Sequence, residues 1–434
     1  MPIPRHIYIV DDDPVLTRLV GRHLERQGYR VTQSSQPRQA LTAILAEPPA
    51  AVLLDIMMPD LDGLEMCRLL RQAPGLGETR IVIVSTKTFD FDRRQAHKLG
   101  ANAFLSKPVD LDQLSAVLTA LLLDQITVTY WGVRGTLPVP GAGTLRYGGN
   151  TSCVTIGFPQ GELFIFDAGS GIKALSDHSL HRQKGRLSAR IFISHPHWDH
   201  INALPFFAPL YLPGNAFEIC GPAHGSQSLE SLIGAQMDGV YFPITMQEFG
   251  ATVTFRDLHE ETVYFGDIAV STMLLNHPGY CLGYRVQYKD RSVCYITDNE
   301  LPLGGIGPQD PAYRARLERF VTRCDLLIID ATYFDEDYPR KTGWGHSAIT
   351  PVVELAHRAE VGMLHLFHHD PDQNDDAIDR KLEQAQAALA ALGSRTRCDA
   401  PCERRSFHID TTLAEAGPER PQTPLETMPE EESF

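Results

Sequence analysis

The chain has 434 residues, a mass of 48.2 kDa and a formal net charge of −15. At roughly 100–200 residues per domain, this length predicts two to four domains, and 43% hydrophobic residues can fill a sizeable core. The negative charge disfavours long DNA or RNA as a partner, and no apolar run reaches the roughly 20 residues of a membrane helix. We therefore expect no membrane partner. The eight cysteines show no tight pairing, which predicts a reduced, cytoplasmic protein.

Residues 1–124 alternate short apolar strand patterns with amphipathic stretches of helix length. The strand patterns read HIYIV, RVTQ, AVLLD, RIVIV and NAFLS. This alternation predicts an α/β domain with an open, doubly wound (βα)5 sheet. Asp13 as a cap and Pro14 in the first turn predict the start of the first helix, whose apolar face would include Leu19.

Polar residues follow these strands where a doubly wound sheet forms its sites, at the carboxyl ends. Asp11 and Asp12 follow the first strand and Asp55 the third, so three carboxylates are expected to meet and to need a cation such as Mg²⁺. Ser85 follows the fourth strand and Lys107 the fifth, which adds a hydroxyl donor and a positive charge. This set of residues can accept a phosphoryl group on Asp55 and stabilise it.

The segments VDDDP, LLDIMMPDLDG, VS and SKP resemble the response-regulator receiver domain of two-component signalling, over the whole of residues 1–124. The resemblance implies that Asp55 is the phosphoacceptor and that a sensor histidine kinase is the phosphodonor. It also implies a Mg²⁺ site formed by Asp11, Asp12 and the Met57 carbonyl, and a switch formed by Ser85, Phe104 and Lys107.

A different pattern begins at residue 125, almost without a linker. Strands rich in β-branched and aromatic residues alternate with Gly-rich turns, and later helices are expected near 311–324, 347–360 and 374–392. Two sheets with helices outside them are therefore predicted for a second domain, residues 125–411. The acidic, proline-rich end, residues 412–434, is predicted to be disordered.

The strongest chemical pattern is His195-Pro-His197-Trp-Asp199-His200, directly after the apolar strand RIFIS. Four potential ligands within six residues indicate a metal site, in which His195 and His197 can reach one ion and Asp199 and His200 another. Two ions about 3.5–4 Å apart can clamp the attacking and leaving oxygens of a phosphodiester displacement. Further ligands are available at predicted strand ends: His277, Asp298, and either His368 or His369.

The segments YWGVRGTLPVPG, RYGGNTSC, DAGSG, HPHWDH, YITD, GWGHS and LFHHDP resemble the metallo-β-lactamase fold, a four-layer αββα sandwich. The resemblance is closest to its phosphodiesterase branch, which includes tRNase Z and the phosphoribosyl cyclic phosphodiesterase. It implies that Asp167 orients a ligand imidazole, that Asp199 and His346 are catalytic, and that His346 protonates the leaving group. The implied ligands are His195, His197, His277 and Asp298 for one ion, and Asp199, His200, Asp298 and His368 for the other.

Together these patterns indicate a phosphorylation-regulated phosphodiesterase with two divalent transition metals. Zinc is the expected metal, with manganese or iron as alternatives. The absence of an apparent basic insertion favours a small substrate over tRNA, and no DNA partner is expected. The resemblance suggests that this substrate is a small, cyclic nucleotide or a related phosphodiester. Two alternative functions are a lactonase or thioesterase on the same fold and a non-enzymatic, metal-containing signalling module. A homodimer is a possible assembly in each case.

Overall fold

The computed structural model describes residues 5–411 except 74, 78, 87–91, 93, 94, 97, 123, 124, 183–185 and 241. The predicted disordered end, 412–434, lies outside the described residues. Within the described residues, no helix has both the length and the apolar character needed to cross a bilayer.

The N-terminal part is a five-stranded parallel sheet with helices on both faces, which confirms the doubly wound prediction. The strands pair in the order β2-β1-β3-β4-β5, and two apolar clusters fill the two faces of the sheet. The strands are β1 (His6–Val10), β2 (Arg30–Ser34), β3 (Ala51–Leu54), β4 (Arg80–Ser85) and β5 (Ala103–Ser106). The helices are α1 (Pro14–Arg26), α2 (Pro37–Ala46), α3 (Gly63–Gln72) and α4 (Leu111–Leu122).

Helix α1 begins where the sequence predicted. The Asp13 side chain accepts hydrogen bonds from the amides of Val15 and Leu16, and Pro14 occupies the first turn. The prediction for Leu19 is wrong, because its side chain is 52% exposed. The buried stripe instead follows the helical spacing of Thr17, Val20, Gly21 and Leu24.

The C-terminal part contains two seven-stranded sheets. The first has the order β11-β10-β9-β8-β7-β6-β19, and the second runs from β12 to β18 in chain order. The first sheet comprises β6 (Gln125–Gly132), β7 (Cys153–Gly157), β8 (Leu163–Phe166), β9 (Ser188–Phe192), β10 (Ala216–Pro222), β11 (Thr252–Leu258) and β19 (Ser406–Asp410). The second comprises β12 (Thr262–Phe265), β13 (Ile268–Leu274), β14 (Leu282–Tyr288), β15 (Arg291–Ile296), β16 (Leu326–Asp330), β17 (Met363–Phe367) and β18 (Arg397–Asp399).

Helices cover the outer faces of both sheets. The helices described in this part are α5 (Ile172–Arg182), α6 (Trp198–Ile201), α7 (Leu229–Gln236), α8 (Pro311–Val321), α9 (Ile349–Arg358) and α10 (Asp375–Ala391). Helix α6 is a single turn that follows the end of β9 and contains Asp199 and His200. Short 3₁₀ turns occupy Ala142–Thr144, Leu204–Phe206, Ala208–Tyr211, Met246–Glu248 and Tyr338–Arg340. Residues from α8, α9 and α10 share an apolar cluster with the second sheet, and residues from α5 and α7 share one with the first. A third, aromatic-rich cluster joins the two sheets, so the αββα sandwich is confirmed.

Parallel pairing within each sheet gathers polar residues at one edge. Strands β8 and β9 are parallel neighbours, as are β15, β16 and β17. Asp167 follows β8 and His195 follows β9, whereas Asp298 follows β15, Asp330 ends β16 and His368 follows β17. The carboxyl ends of these strands therefore build the candidate site.

Candidate metal centre

One group of potential ligands combines the HxHxDH segment with two later strand ends. The ligand atoms of His195, His197, His277 and Asp298 lie within 4.8 Å of one another. His195 Nε2 and His277 Nε2 are each 3.6 Å from Asp298 Oδ2, and His197 Nδ1 is 3.1 Å from His277 Nε2. These four side chains converge on a single point, as the ligands of one cation do.

A second group shares Asp298 with the first. It contains Asp199, His200, Asp298 and His368, again with ligand atoms within 4.8 Å of one another. His200 Nε2 and His368 Nε2 lie 3.2 Å and 3.0 Å from Asp298 Oδ1. The same two nitrogens lie 3.1 Å and 3.2 Å from Asp199 Oδ2.

The two oxygens of Asp298 face different groups. Oδ2 is the oxygen near His195 and His277, and Oδ1 is the oxygen near His200 and His368. A carboxylate placed in this way can bridge two cations, one on each oxygen.

The chemistry of these residues fits two metal ions. His195 Nε2 is buried and makes no hydrogen bond, which is costly for an imidazole nitrogen unless a cation occupies the space. Burial lowers the pKa of His195 well below its usual value, which favours the neutral imidazole that binds metals. Mixed imidazole and carboxylate ligands suit zinc, manganese and iron.

Neighbouring side chains and backbone groups hold the ligands in orientation. Asp167 accepts hydrogen bonds from His200 Nδ1 at 2.8 Å, from the Ser194 amide at 2.7 Å and from the Tyr295 hydroxyl at 2.7 Å. His277 Nδ1 donates to the Gly345 carbonyl at 3.0 Å. In both histidines the hydrogen bond at Nδ1 leaves Nε2 for a metal.

Three of the site residues have left-handed backbone conformations. The φ angles are 59° at Asp167, 44° at Asp298 and 57° at His368, although none of the three is glycine. Such strain costs on the order of 1–3 kcal/mol per residue and concentrates at functional sites. The surrounding sheet therefore holds these side chains at the strand ends against a local backbone preference.

A second candidate centre lies at the edge of the five-stranded sheet. Asp11, Asp12 and Asp55 place carboxylate oxygens within 4.8 Å of one another. Lys107 Nζ lies 2.8 Å from Asp11 Oδ2 and 2.8 Å from Asp55 Oδ2, and the other oxygen of Asp55 is buried without a hydrogen bond. Burial raises the pKa of Asp11 despite the opposing effect of Lys107. An all-oxygen group with an unsatisfied oxygen fits Mg²⁺.

Known families match both parts of the chain. Residues 7–119 match the response regulator receiver domain, and residues 163–369 match the beta-lactamase superfamily domain. The chain is a receiver domain followed by a beta-lactamase superfamily domain.

Individual relatives match one domain at a time. The response regulator MprA of Mycolicibacterium vanbaalenii is 38% identical over 142 residues, which is 32% of this chain and 55% of that protein. The alkaline phosphatase synthesis transcriptional regulatory protein PhoP of Bacillus subtilis is 34% identical over 118 residues, 27% of this chain and 48% of that protein. The chain thus spans about half the length of the curated relatives it matches.

Two solved structures are similar to the larger domain. The metallo-beta-lactamase fold protein YhfI of Bacillus subtilis has 16% identity and a TM-score of 0.47, covering 66% of this chain and 99% of its own. The short form of human tRNase Z has 20% identity and a TM-score of 0.45, covering 65% of this chain and 98% of its own.

In the beta-lactamase superfamily domain, the structure pairs His346 with a residue that the sequence analysis did not select. His346 Nδ1 donates to Asp330 Oδ2 at 2.7 Å, and Asp330 is fully buried at the end of β16. Burial opposes the charged imidazolium, but the Asp330 carboxylate outweighs it and raises the pKa of His346 to about 9. The signal was present in the sequence, because Asp330 ends the apolar strand LLIID as Asp167 ends LFIFD.

His346 also borders the ligand groups directly. Its ring stacks on His368 with centroids 4.9 Å apart, and ligand atoms of Asp298, Asp330, His346 and His368 lie within 4.8 Å of one another. His369 belongs to none of the ligand groups found among the described residues. Its backbone bonds to Val133 and Gly135 instead.

The other receiver residues lie around the acidic group. Ser85 is buried at the end of β4, and Phe104 lies in β5 against an apolar cluster. Met57 exposes 54% of its surface two residues after Asp55, and the Lys107–Pro108 peptide bond is cis. The roles assigned to these residues by resemblance stay predictions.

Proposed function

We propose that this chain is a phosphorylation-regulated phosphodiesterase with two divalent metal ions, acting on a small nucleotide or a related phosphodiester. Cyclic phosphates are the first candidates. The observation that supports this proposal most directly is the division of the two Asp298 oxygens between two ligand groups. A site for one structural ion has no need of a carboxylate placed in this way.

The protein's own residues supply orientation and a proton. When bound, two such ions hold the attacking and leaving oxygens of a phosphodiester and offset the negative charge that develops. Asp199 is fixed by a hydrogen bond from the Thr136 amide at 2.7 Å. His346 keeps its proton on Nδ1 for Asp330, so its Nε2 is the atom proposed to protonate the leaving oxygen. A proton donor at this position favours substrates whose leaving group is an alkoxide.

The metal ions are proposed to be zinc, with manganese or iron as alternatives that the same ligands accept. Zinc fits because imidazole and carboxylate ligands are usual for it and because it brings no redox chemistry. In the receiver domain the proposed ion is Mg²⁺ at Asp11, Asp12 and the Met57 carbonyl. The proposed phosphodonor to Asp55 is a sensor histidine kinase.

Regulation is proposed to pass from Asp55 to the hydrolase through the short link between the domains. A phosphoryl group adds roughly −1.5 to −2 charges beside Lys107, which holds both Asp11 and Asp55 at 2.8 Å. Helix α4 ends at Leu122 and strand β6 begins at Gln125, so only two residues separate the last receiver element from the first sheet of the sandwich. A link this short can transmit a shift that a long flexible linker would absorb.

A substrate panel tests the activity. Protein with measured metal content is assayed on bis(p-nitrophenyl) phosphate, on cyclic mono- and dinucleotides, on a lactone and on a thioester. We expect turnover of the phosphodiesters with two ions per chain. Turnover of the lactone or thioester alone would assign the domain to another hydrolase class, and no turnover at full metal loading would favour a non-enzymatic module.

A further inference from the structure

Two of the three tryptophans of the chain lie exposed beside the candidate metal centre. Trp198 is 83% exposed and Trp344 is 61% exposed, whereas Trp131 is 5% exposed. Trp198 stands between the ligands His197 and Asp199 in the sequence, and Trp344 is two residues before His346. Large aromatic side chains usually bury most of their surface, so two exposed tryptophans at one site need an explanation.

The two tryptophans belong to different parts of the fold but meet at the same ligand. His197 Nδ1 is 3.1 Å from His277 Nε2, which places the backbone next to Trp198 on one side of that imidazole. His277 Nδ1 donates to the carbonyl of Gly345 at 3.0 Å, which places the backbone next to Trp344 on the other side. The two tryptophans are therefore the chain neighbours of two residues, His197 and Gly345, that contact the two nitrogens of the same imidazole.

The loop that presents Trp344 is held firmly. The buried carboxylate of Glu300 accepts hydrogen bonds from the Gly343 amide at 2.9 Å, the Gly345 amide at 2.9 Å and the Tyr338 hydroxyl at 2.8 Å. A Cβ atom at residue 345 would lie 2.2 Å from His277 Nδ1, so the glycine lets the loop approach the imidazole closely. Trp344 is exposed on an anchored backbone.

The site opens to solvent on this side. His197 is exposed, whereas His195, Asp199, His200, Asp298 and His368 are buried. The exposed ligand His197 and the exposed Trp198 are adjacent in the chain, so an aromatic side chain is available next to the solvent-facing ligand. A protein or membrane seated across both tryptophans would cover this opening, whereas a small ligand with a flat aromatic part can use both the tryptophans and the metal centre.

We propose that Trp198 and Trp344 bind the base of a nucleotide substrate by stacking, so that the substrate of this site is a small phosphodiester that carries a nucleobase. This inference rests on the proposed phosphodiesterase function and narrows its substrate class. Stacking suits the arrangement because all of the nucleobases have a flat π-face that can pack against an indole ring. The phosphodiester group then lies over the ligand groups and the base lies between or against the two indoles.

The test uses two esters with the same leaving group. Thymidine 5′-(p-nitrophenyl phosphate) is compared with its abasic analogue, in which 1,2-dideoxyribose replaces the nucleoside. The ratio of their kcat/KM values isolates the contribution of the base. Stacking on an aromatic side chain contributes about 1–3 kcal/mol per base, so Trp198→Ala and Trp344→Ala should each lower this ratio by about 5- to 150-fold. Trp198→Phe and Trp344→Phe should keep most of the wild-type ratio of the two kcat/KM values.

The control variant is Tyr264→Ala, which removes an aromatic side chain that is 73% exposed on β12. It should leave the ratio unchanged. A wild-type ratio near one, or a variant that loses activity equally on both esters, overturns the stacking proposal while leaving the phosphodiesterase proposal standing.

Binding is measured separately by calorimetry with thymidine 5′-phosphate and 2-deoxyribose 5-phosphate. If neither ester is hydrolysed by protein that holds two ions, the phosphodiesterase proposal fails, and calorimetry decides the stacking proposal by itself. Tighter binding of the nucleotide, weakened by the alanine variants, supports stacking. Equal binding of the two phosphates overturns it.

Discussion

At the scale of single residues, Asp298 occupies the centre of the candidate site. It is 2% exposed, and each of its oxygens lies within 3.6 Å of two imidazole nitrogens. The hydroxyl of Thr297 donates to Oδ1 at 2.7 Å and restricts rotation of the carboxylate. Replacement of Asp298 should therefore affect both ligand groups together, whereas loss of a histidine that belongs to one group should affect mainly that group.

We expect Asp298→Ala to lower metal content at both groups and to abolish turnover. The fold should largely survive, because Asp298 belongs to none of the three apolar clusters that fill the sandwich. Metal analysis and circular dichroism on the same preparation measure both effects. The control is Asp325→Asn. Asp325 directly precedes β16 and Asp330 ends it, so the two residues lie about 16 Å apart along the strand. Two bound ions and full activity in Asp298→Ala would remove the bridging assignment.

The His346–Asp330 pair makes a separate prediction at this scale. We expect His346→Ala to keep two ions and to lose about 10²–10⁴-fold in rate on substrates with an alkoxide leaving group. The loss should be much smaller with p-nitrophenolate, which needs little protonation. Asp330→Asn should change the rates in the same direction, because its amide no longer favours the charged imidazolium. A drop in metal content would instead identify His346 as a ligand, and equal losses on both substrates would contradict the role of proton donor.

At the scale of elements, loops at the strand ends position the groups that the strands alone do not. The loop between Tyr338 and Ser347 is joined to the metal centre through Gly345 and His277, and to the second sheet through Glu300. Gly343 and Gly345 both have positive φ angles, 84° and 86°. A Cβ atom at residue 343 would meet nothing within 4 Å, whereas one at residue 345 would collide with His277 and Pro278.

This difference gives a matched pair of variants. Gly343→Ala should lower the free energy of unfolding by about 1–2 kcal/mol, through its left-handed backbone alone, and should keep both ions. Gly345→Ala adds a collision with a ligand imidazole, so it should also lose metal from the group that contains His277. Denaturant unfolding and metal analysis separate the two effects. Equal metal content in the two variants would show that the approach of this loop does not position His277.

At the scale of the whole molecule, the two candidate centres lie in different sheets of the chain. The acidic group at the end of the receiver sheet and the metal groups at the end of the sandwich each form at the carboxyl ends of parallel strands. Helix α4 and strand β6 are consecutive elements of these two domains. The domain boundary at residue 124 stays a prediction, and so does the transmission of a signal across it.

We expect beryllofluoride with Mg²⁺, a phosphoryl analogue, to change the turnover rate or the oligomeric state of the full chain. The reason is that a charge added at Asp55 alters the contacts of Lys107, which directly follows β5. Helix α4 is the next helix after Lys107 and precedes strand β6. Enzyme assays and sedimentation measure the two outcomes. Asp55→Asn is the control and should not respond. If the wild-type chain binds the analogue while its rate and sedimentation stay constant, the receiver serves as a targeting module.

Features that depend on neighbouring residues could be predicted from the amino-acid sequence. The apolar strand patterns predicted the doubly wound sheet of the first domain and the two packed sheets of the second. Asp13 with Pro14 predicted the start of α1. The spacing within HPHWDH placed four potential ligands together because a turn after a strand brings nearby side chains to one point. Such local patterns are visible in the sequence, since the physical interactions behind them act within a few residues.

The contacts between residues far apart in the chain became visible in the folded structure. His197 and His277 are 80 residues apart and Asp199 and His368 are 169 apart, yet their ligand atoms are 3.1 Å and 3.2 Å from one another. The partnership of His346 with Asp330, the division of the Asp298 oxygens between two groups, and the exposure of Trp198 and Trp344 also emerged only in the fold. Each depends on the pairing of strands and on the packing of one sheet against another, and these long-range interactions leave no periodic pattern in the sequence.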